Sequence, residues 1–403
     1  MLRRVLILGI LLALVSIPLG SAGLRAETTT MAGYDPKTLA IVVNRDSSDL
    51  AVIDPATDKV IKRIALGEYT NGHMAMLNHD GQKLLITATG RDRFLVVDLV
   101  TGKVEHTVIV GKAPEHFDVT PNGRLAFVGN IEESTVSMID VHDGREVQRI
   151  TGFFEPHGFS VLPDGSKVYV SSLGGHEVAV LDATSGRMLK RLAVGDVGRV
   201  AARDPQRYLS EVKGIVNPTL TKDGAFAYAA DGDAGMVAII DTKTDKIVKT
   251  LKVGEQPWRA YNSPDGRWML IPNNGDSTVS VIDTKSQKIV AQLTAGSDMT
   301  GINYALNGSK AYVISRGDST VYVFDMQTFG LVTRLKLKHG TANLALETAA
   351  TTADGTKIYL ASSTNDSVYV IDARTDQVKQ ITDVGRYPWG VSILAAASPN
   401  YCH

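Results

Sequence analysis

A segment of about 42 residues recurs along this chain, marked by two apolar residues followed by an aspartate. Two copies read GDSTVSVIDTKSQKIVAQL, from Gly275, and GDSTVYVFDMQTFGLVTRL, from Gly317. Six of the seven gaps between successive aspartates are 42 to 47 residues, and the gap from Asp182 to Asp241 is 59. A period of this length favours one repeat architecture over separate domains. The eight marker aspartates are Asp54, Asp98, Asp140, Asp182, Asp241, Asp283, Asp325 and Asp372.

Each repeat contains four short apolar segments separated by turns, which predicts a four-stranded antiparallel blade. A single blade cannot bury both of its faces, so the blades must pack side by side. A second marker is the Asp-Gly or Asn-Gly turn that closes the first strand, because these residues adopt positive φ readily. This turn occurs seven times, at Gly81, Gly123, Gly165, Gly224, Gly266, Gly308 and Gly355.

The two markers differ by one copy, and the ends of the repeat region account for the difference. Residues 38–67 hold three strands of a blade, whereas the late segment YPWGVSILAAAS holds one. We predict that a strand near Gly390–Ala395 pairs with a strand near Thr38–Val43, so that the ring closes without an open edge. The expected fold is an all-β, eight-bladed β-propeller of four-stranded blades, a single domain over residues 38–398, followed by a tail, residues 399–403.

The first 26 residues, MLRRVLILGILLALVSIPLGSAGLRA, have the form of a secretory signal peptide. Arg3 and Arg4 precede an apolar run, and small residues lead to cleavage after Ala22 or Ala26. An uncleaved membrane anchor is the alternative, but an apolar run of about 15 residues is short for a membrane span. We expect a periplasmic protein without membrane attachment after cleavage. The single cysteine, Cys402, agrees with export to an oxidising compartment.

The charge of the chain limits its partners. There are 42 Lys and Arg residues against 43 Asp and Glu residues, so the formal net charge is -1. A nucleic-acid partner is not expected, because such binding needs a basic surface. The insertion at residues 196–216 is the longest segment outside the repeat pattern, and a periplasmic protein partner could contact it and the surrounding face. A solvated loop is the alternative, and we otherwise expect a monomer.

Three repeat units, AYVISRGDSTVYVFD, KIYLASSTNDSVYVID and KVYVSSLGGHEVAVLD, resemble the YVTN family of bacterial β-propellers, and the resemblance runs from about Thr38 to Ala397. The expected eight blades also resemble the d1-haem domain of cytochrome cd1 nitrite reductase and its periplasmic relatives in haem d1 maturation. This second resemblance implies a tetrapyrrole pocket with an axial histidine. The sequence has no Cys-x-x-Cys-His motif, so no covalent c-type haem is expected.

Histidines concentrate where the innermost strands are expected to begin. Strand alternation puts these entries, and the loops between second and third strands, on one face, which we call the top. His73, His116 and His157 stand 8, 7 and 8 residues before the turn glycine of three successive repeats, so His116 is offset by one. His176 and His339 fall in top loops. The predicted entry residues, in blade order, are Trp389, His73, His116, His157, Pro218, Trp258, Thr300 and Asn343.

We interpret the top funnel as a candidate site for a metal ion or a tetrapyrrole. Neutral imidazole binds zinc, copper and iron, although each histidine could instead cap a loop. Tryptophan can stack on a flat cofactor or simply plug the funnel, and arginine can bind cofactor carboxylates. The candidate metal ligands are His73, His116, His157, His176 and His339. The candidate cofactor contacts are Trp258, Trp389, Arg91, Arg93, Arg259 and Arg386.

Three functions stay open at this point. The first is a binding protein for a metal or tetrapyrrole, in redox chemistry or cofactor assembly; the second is an interaction scaffold without a cofactor. The third is a propeller hydrolase such as a lactonase, for which no acid cluster is visible at the funnel. No nucleophile elbow, zinc-protease, Walker or Rossmann motif occurs, so catalytic residues stay unassigned. Cys402 and His403 could bind a soft metal or form a frayed end.

Overall fold

The structure is a computed structural model that describes residues 33–195, 212–338, 340 and 342–396. Its described residues form eight four-stranded antiparallel sheets, and consecutive sheets contact one another at their inner ends, around a central channel. The prediction of an all-β, eight-bladed propeller is confirmed. The predicted signal peptide at residues 1–26, the tail at residues 399–403, His339 and residues 196–211 of the insertion lie outside the described residues.

Within the described ranges, each blade runs from an inner strand at the channel to an outer strand at the rim. The inner strands, in ring order, are β32 (Pro388–Ser392), β4 (Gly72–Leu77), β8 (Pro114–Val119), β12 (Pro156–Val161), β16 (Pro218–Leu220), β20 (Tyr261–Asn262), β24 (Met299–Ala305) and β28 (Leu346–Thr351). The second strands are β1 (Ala40–Asn44), β5 (Lys83–Ala88), β9 (Leu125–Asn130), β13 (Lys167–Ser172), β17 (Phe226–Asp231), β21 (Trp268–Asn273), β25 (Lys310–Ser315) and β29 (Lys357–Ser362). The third strands are β2 (Asp49–Asp54), β6 (Arg93–Asp98), β10 (Thr135–Asp140), β14 (Glu177–Asp182), β18 (Met236–Asp241), β22 (Thr278–Asp283), β26 (Thr320–Asp325) and β30 (Ser367–Asp372). The outer strands are β3 (Lys59–Ala65), β7 (Lys103–Ile109), β11 (Arg145–Ile150), β15 (Met188–Ala193), β19 (Lys246–Lys252), β23 (Lys288–Thr294), β27 (Leu331–Lys336) and β31 (Val378–Ile381).

We number the blades 1 to 8 in this ring order, so blade 1 combines β32 with β1, β2 and β3. Its inner strand pairs antiparallel with β1, with Val42 opposite Val391 and Ile41 opposite Ser392. The Asn44 side-chain amide also donates to the Val384 carbonyl at 2.6 Å. The predicted closure of the ring by the late strand is therefore confirmed.

The marker aspartate of each repeat shapes the turn between the third and outer strands. In blade 6 the Asp283 carboxylate accepts the backbone N–H of Ser286 at 2.7 Å, and in blade 5 Asp241 accepts that of Thr244 at 2.8 Å. Such Asx turns satisfy backbone donors locally and allow a tight reversal. The interpretation of these aspartates as turn formers agrees with these contacts.

The core lies between neighbouring blades. Tyr261 and Leu270 of blade 6 pack against Ile302 and Val313 of blade 7, and all four side chains are fully buried. Each sheet is covered on both faces, so its middle strands are apolar on both sides and bury nearly every residue. Two short 3-10 turns, Pro36–Thr38 and Leu306–Gly308, complete the elements named here. Within the described residues, no helix has the length and apolar character needed to cross a bilayer.

Candidate functional site

The inner strands of blades 2, 3 and 4 each carry a β-bulge at the top of the channel. In β4, Gly72 pairs with Ala88 and Ala75 pairs with Ile86, so two residues oppose one. The same shift occurs in β8 and β12. A bulge redirects side chains and is common beside functional sites. Two consecutive residues of each inner strand therefore occupy the channel-facing bend.

In blades 2 and 4 a buried hydroxyl on the second strand fixes the bulge and ties it to the next blade, whereas Gly129 holds this position in blade 3. Thr87 Oγ1 accepts the Met74 N–H at 3.2 Å and donates to the Glu115 carbonyl at 2.6 Å. Ser171 plays the same part in blade 4, accepting the Gly158 N–H at 2.9 Å and donating to the Val216 carbonyl at 2.9 Å. These contacts hold neighbouring bulges in register, so their side chains are positioned relative to one another.

The first bulge position always lies eight residues before the turn glycine, where a turn glycine follows. The predicted entry Asn343 is wrong, because it precedes β28, and Glu347 holds the position equivalent to His73. Pro218 does begin β16, but Val216 is the residue that stands eight positions before the turn glycine of its repeat. The residues at this position, in blade order, are Trp389, His73, Glu115, His157, Val216, Trp258, Thr300 and Glu347.

Three of the five candidate metal ligands come together on one wall of the channel. The ring centroids of His73 and His116 are 4.9 Å apart, and those of His116 and His157 are 3.9 Å apart. All three imidazoles are buried. The offset of His116 by one residue does not separate it from the others, because it occupies the second position of its bulge. We call these three side chains, with Glu115, the imidazole wall.

Glu115 belongs to this wall and was not recognised from the sequence. One ligand atom from each of His73, Glu115 and His116 lies within 4.8 Å of the other two. Glu115 Oε2 also lies 3.6 Å from His157 Nε2, and both side chains are 6% exposed. The signal was present in the sequence, since Glu115 stands eight residues before Gly123, as His73 and His157 do before their own glycines.

The tautomer of His157 is set by its surroundings. Its Nδ1 lies 2.9 Å from the Val216 carbonyl oxygen, which accepts a hydrogen only if Nδ1 carries the proton. Burial is the main cause that lowers the pKa of His157 to about 4; the Val216 hydrogen bond opposes this effect, and the charge of Arg259 adds to it. The imidazole is therefore neutral at ordinary pH, with the lone pair on Nε2, the form that binds a metal.

The imidazole wall faces a cavity of about 300 Å³, which we call the upper chamber. Trp258 and Trp389 also line it, with ring centroids of Trp389 and His73 5.7 Å apart. Its rim comes from the residue that directly follows the second strand in four blades, Arg45, Leu173, Asn274 and Arg316. The residues lining the upper chamber are Arg45, His73, Glu115, His116, His157, Leu173, Trp258, Asn274, Asp298, Met299, Thr300, Arg316 and Trp389.

The two rim arginines differ in their surroundings. Arg45 lies over the Trp389 ring, 4.5 Å from its centroid, and donates from Nε to Asn71 Oδ1 at 2.6 Å. Arg316 binds both carboxylate oxygens of Asp298, at 2.7 and 3.1 Å, and reaches Glu347 at 3.2 Å. Two carboxylates thus neutralise Arg316, whereas the described contacts of Arg45 are to neutral groups. Neither arginine was predicted from the sequence.

The other predicted residues lie away from the upper chamber. Arg259 lines a second cavity of about 310 Å³ farther down the channel, which we call the lower chamber and which His116 also lines. His176 is buried beside blade 5, where its Nδ1 lies 2.7 Å from Asp231 Oδ2. Arg91 donates to the Glu68 carbonyl, and Arg386 to that of Asp46, both at exposed positions. Arg93 begins strand β6, away from both chambers.

Residues 34–157 match the family model of the cytochrome D1 haem domain. The matched segment covers the first three blades apart from β32 and reaches the beginning of β12. It contains the whole imidazole wall, from His73 to His157. The predicted similarity to a d1-haem domain is therefore confirmed for this segment, and the resemblance to the YVTN family stays a prediction.

Two solved structures share the fold. One is the dihydro-haem d1 dehydrogenase NirN in complex with DHE, with a TM-score of 0.73, 20% identity, and coverage of 90% of this chain and 76% of that chain. The other is the hydrazine synthase of Kuenenia stuttgartiensis, with a TM-score of 0.54, 20% identity, and coverage of 79% and 97%. At 20% identity, these two similarities show a shared fold and nothing further. No curated protein matches the sequence.

Proposed function

We propose that this protein binds a haem-like metal tetrapyrrole in its upper chamber, with His157 Nε2 as the axial ligand. One observation carries the proposal: the segment that matches the cytochrome D1 haem domain supplies the imidazole wall of a buried, tryptophan-lined cavity. Binding is non-covalent, since the chain holds one cysteine and no c-type attachment motif. We retain the periplasmic location and a protein partner at the top face as further proposals.

The donor chemistry of the chamber fits such a group. His157 presents a neutral nitrogen whose tautomer is held by the Val216 carbonyl, which is the usual second contact of a metal-bound histidine. The indoles of Trp258 and Trp389 offer flat apolar surfaces, and Arg45 offers a guanidinium for a carboxylate side chain. A cavity of about 300 Å³ is at the lower end of the range for small-molecule pockets.

The residues of the chain have separate tasks in this proposal. His157 would hold the metal of the bound group, Trp258 and Trp389 would exclude water from it, and Arg45 would orient an acidic substituent. A bound metal tetrapyrrole supplies a centre for electron transfer or for small-ligand binding. Burial of the ligand nitrogen favours the neutral imidazole, so the site is ready to bind without first losing a proton.

The test is a titration of purified protein with ferric haem, followed by visible absorption. We expect a shifted Soret band for the wild type and a loss of that shift, with affinity more than about tenfold weaker, for His157→Ala. The matched control is His142→Ala, whose side chain is 90% exposed on the opposite face of blade 3. Equal haem spectra for wild type and His157→Ala, or no haem binding by either, would overturn the proposal.

A further inference from the structure

We infer that, when no tetrapyrrole occupies the upper chamber, the imidazole wall holds one non-haem divalent metal ion, bound by His73, Glu115 and His116. This inference goes beyond the proposed tetrapyrrole and does not depend on it, because the three ligands exclude His157. It rests on the three ligand atoms lying within 4.8 Å of one another on buried side chains. Two imidazoles and one carboxylate are the donor set of mononuclear iron, manganese or zinc centres with open positions.

The bulges explain how three ligands from two blades reach one point. Glu115 and His116 are consecutive residues of the β8 bulge, and both lie at the channel. His73 comes from the β4 bulge, which Thr87 ties to the Glu115 carbonyl at 2.6 Å. The backbone segments that carry the ligands are therefore fixed to each other before any ion binds, and little conformational entropy remains to be lost on binding.

The distances suit a single ion after a small adjustment. Metal–nitrogen and metal–oxygen bonds are about 2.0–2.2 Å long, so ligand atoms on one ion lie roughly 3–4 Å apart. Side-chain rotations that move each atom by less than about 1 Å are enough to close the present spacing of up to 4.8 Å. The open positions of such an ion would face the upper chamber, which the three ligands line.

Burial of Glu115 adds an electrostatic reason to expect a metal ion at this position. The residue is 4% exposed, beside imidazoles that are 8% and 4% exposed. Buried charges in proteins are paired or coordinate metals. A divalent cation neutralises the carboxylate and accepts both imidazole lone pairs at once. The competing arrangement, in which the acid and the imidazoles share a proton, is an outcome of the test.

The experiment uses chelator-treated full-length protein titrated with zinc by calorimetry and with cobalt(II) by visible absorption, which reports coordination number. We expect one equivalent of metal for the wild type and more than about tenfold weaker binding for Glu115→Gln, which preserves shape but removes the charge. His116→Ala should lose the site, and His106→Ala, a half-buried histidine outside both clusters of potential metal ligands, should keep it. Circular dichroism confirms folding, and zinc should raise the melting temperature of wild type but not of Glu115→Gln.

Two results would overturn this inference: no stoichiometric metal on the wild type, or unchanged affinity in both Glu115→Gln and His116→Ala. The haem titration separates its failure from that of the proposed function. A haem spectrum that depends on His157 and a zinc site that depends on His116 are measured in separate titrations, so either one can be lost without the other. Equal loss of zinc in His157→Ala would assign that imidazole to the ion and overturn the division of ligands proposed here.

Discussion

At the scale of single residues, Gly158 shows how closely the inner strands approach at the site. It occupies the second bulge position of blade 4, directly after His157. A methyl group there would overlap the Val216 carbonyl oxygen and lie 2.6 Å from the Asn217 Cα. The same carbonyl holds His157 Nδ1 at 2.9 Å. The absence of a side chain thus allows the contact that fixes the imidazole.

We expect Gly158→Ala to lower the free energy of unfolding by about 1–3 kcal/mol, because the neighbouring backbone cannot move aside cheaply. The matched control is Gly301→Ala at the equivalent position of β24, where the nearest contact is the Ile314 Cδ1 at 3.4 Å. That change should cost less than about 1 kcal/mol. Urea denaturation measures both, and equal stabilities would contradict the packing argument.

Spacing in the sequence located part of the site at this scale. Counting residues to the turn glycine predicted that His73 and His157 hold equivalent positions in their blades, and that His116 is offset from them by one residue. The same spacing applied to the third blade points to Glu115, whereas the sequence prediction took the neighbouring His116 as the entry residue of that blade. Arg45 and Arg316 lie in loops after the second strands, where side-chain direction depends on neighbouring blades and has no sequence period.

At the scale of elements, an ion-pair latch joins neighbouring blades at three junctions. The carboxylate of Asp376 in blade 8 accepts from Lys310 at 2.8 Å and from the Tyr312 hydroxyl at 2.6 Å in blade 7. The acid stands four residues after a marker aspartate, at a turn position with positive φ. The other two latches join Tyr169 and Lys167 to Asp245, and Tyr359 and Lys357 to Asp58.

The junction of blades 5 and 6 lacks this acid, because Gln287 stands at the latch position. Its Tyr228 hydroxyl is buried without a hydrogen-bond partner among the described residues. Gln287→Asp should therefore add a hydrogen bond and raise the free energy of unfolding by about 0.5–1.5 kcal/mol. This gain in stability should vanish when Tyr228→Phe is added. A gain that survives the second change would show that the new carboxylate does not act through the Tyr228 hydroxyl.

The turn aspartates give the fold a dependence on pH. Burial of Asp98 opposes ionisation, but the Thr101 N–H and Lys83 outweigh it and lower the pKa to about 2. A lowered pKa in the folded state means that the ionised form stabilises the fold above about pH 4, and that this contribution disappears as pH falls through about 2. The pKa in the folded state is also lowered for six other marker aspartates: Asp140, Asp182, Asp241, Asp283, Asp325 and Asp372.

We expect Asp98→Asn to lower stability at neutral pH by about 1 kcal/mol, because the 3.0 Å ion pair with Lys83 is lost. The difference from wild type should shrink towards pH 2, where the native carboxyl is itself becoming protonated. Denaturant titrations at several pH values measure the difference. Asp46→Asn, at an exposed loop position, is the control. A loss of stability in Asp98→Asn that stays the same at all pH values would contradict the role of the ionised Asp98 carboxylate.

At the scale of the whole molecule, the ring depends on one short strand. The inner strand β32 pairs with β1 and completes blade 1. Removal of residues 387–403 should expose the edge of β1 and yield aggregated or partly folded protein. A truncation that stops after Ala396 keeps β32 and should fold normally. Soluble, cooperatively unfolding protein after the longer deletion, judged by gel filtration and thermal melts, would contradict the role of this strand.

The architecture was predictable because it is repetitive. Eight aspartate markers against seven turn glycines indicated both the blade number and the closure of the ring, and the structure pairs Val43 with Gly390 as that count required. The arrangement of the two chambers was harder to predict from the sequence than the architecture. It depends on bulges and on contacts between blades, which leave no period in the sequence except the fixed distance to the turn glycine.

The closure of blade 1 also orders the folding of the chain in time. Asn44 contacts Val384, 340 positions away in sequence, so the first strands to be synthesised must wait for the last. At about 5–20 residues per second, that wait is roughly 20–70 s, during which the apolar edge of β1 has no partner. Such remote contacts make folding slow, and the edge of β1 stays open to pairing with other chains until the ring closes.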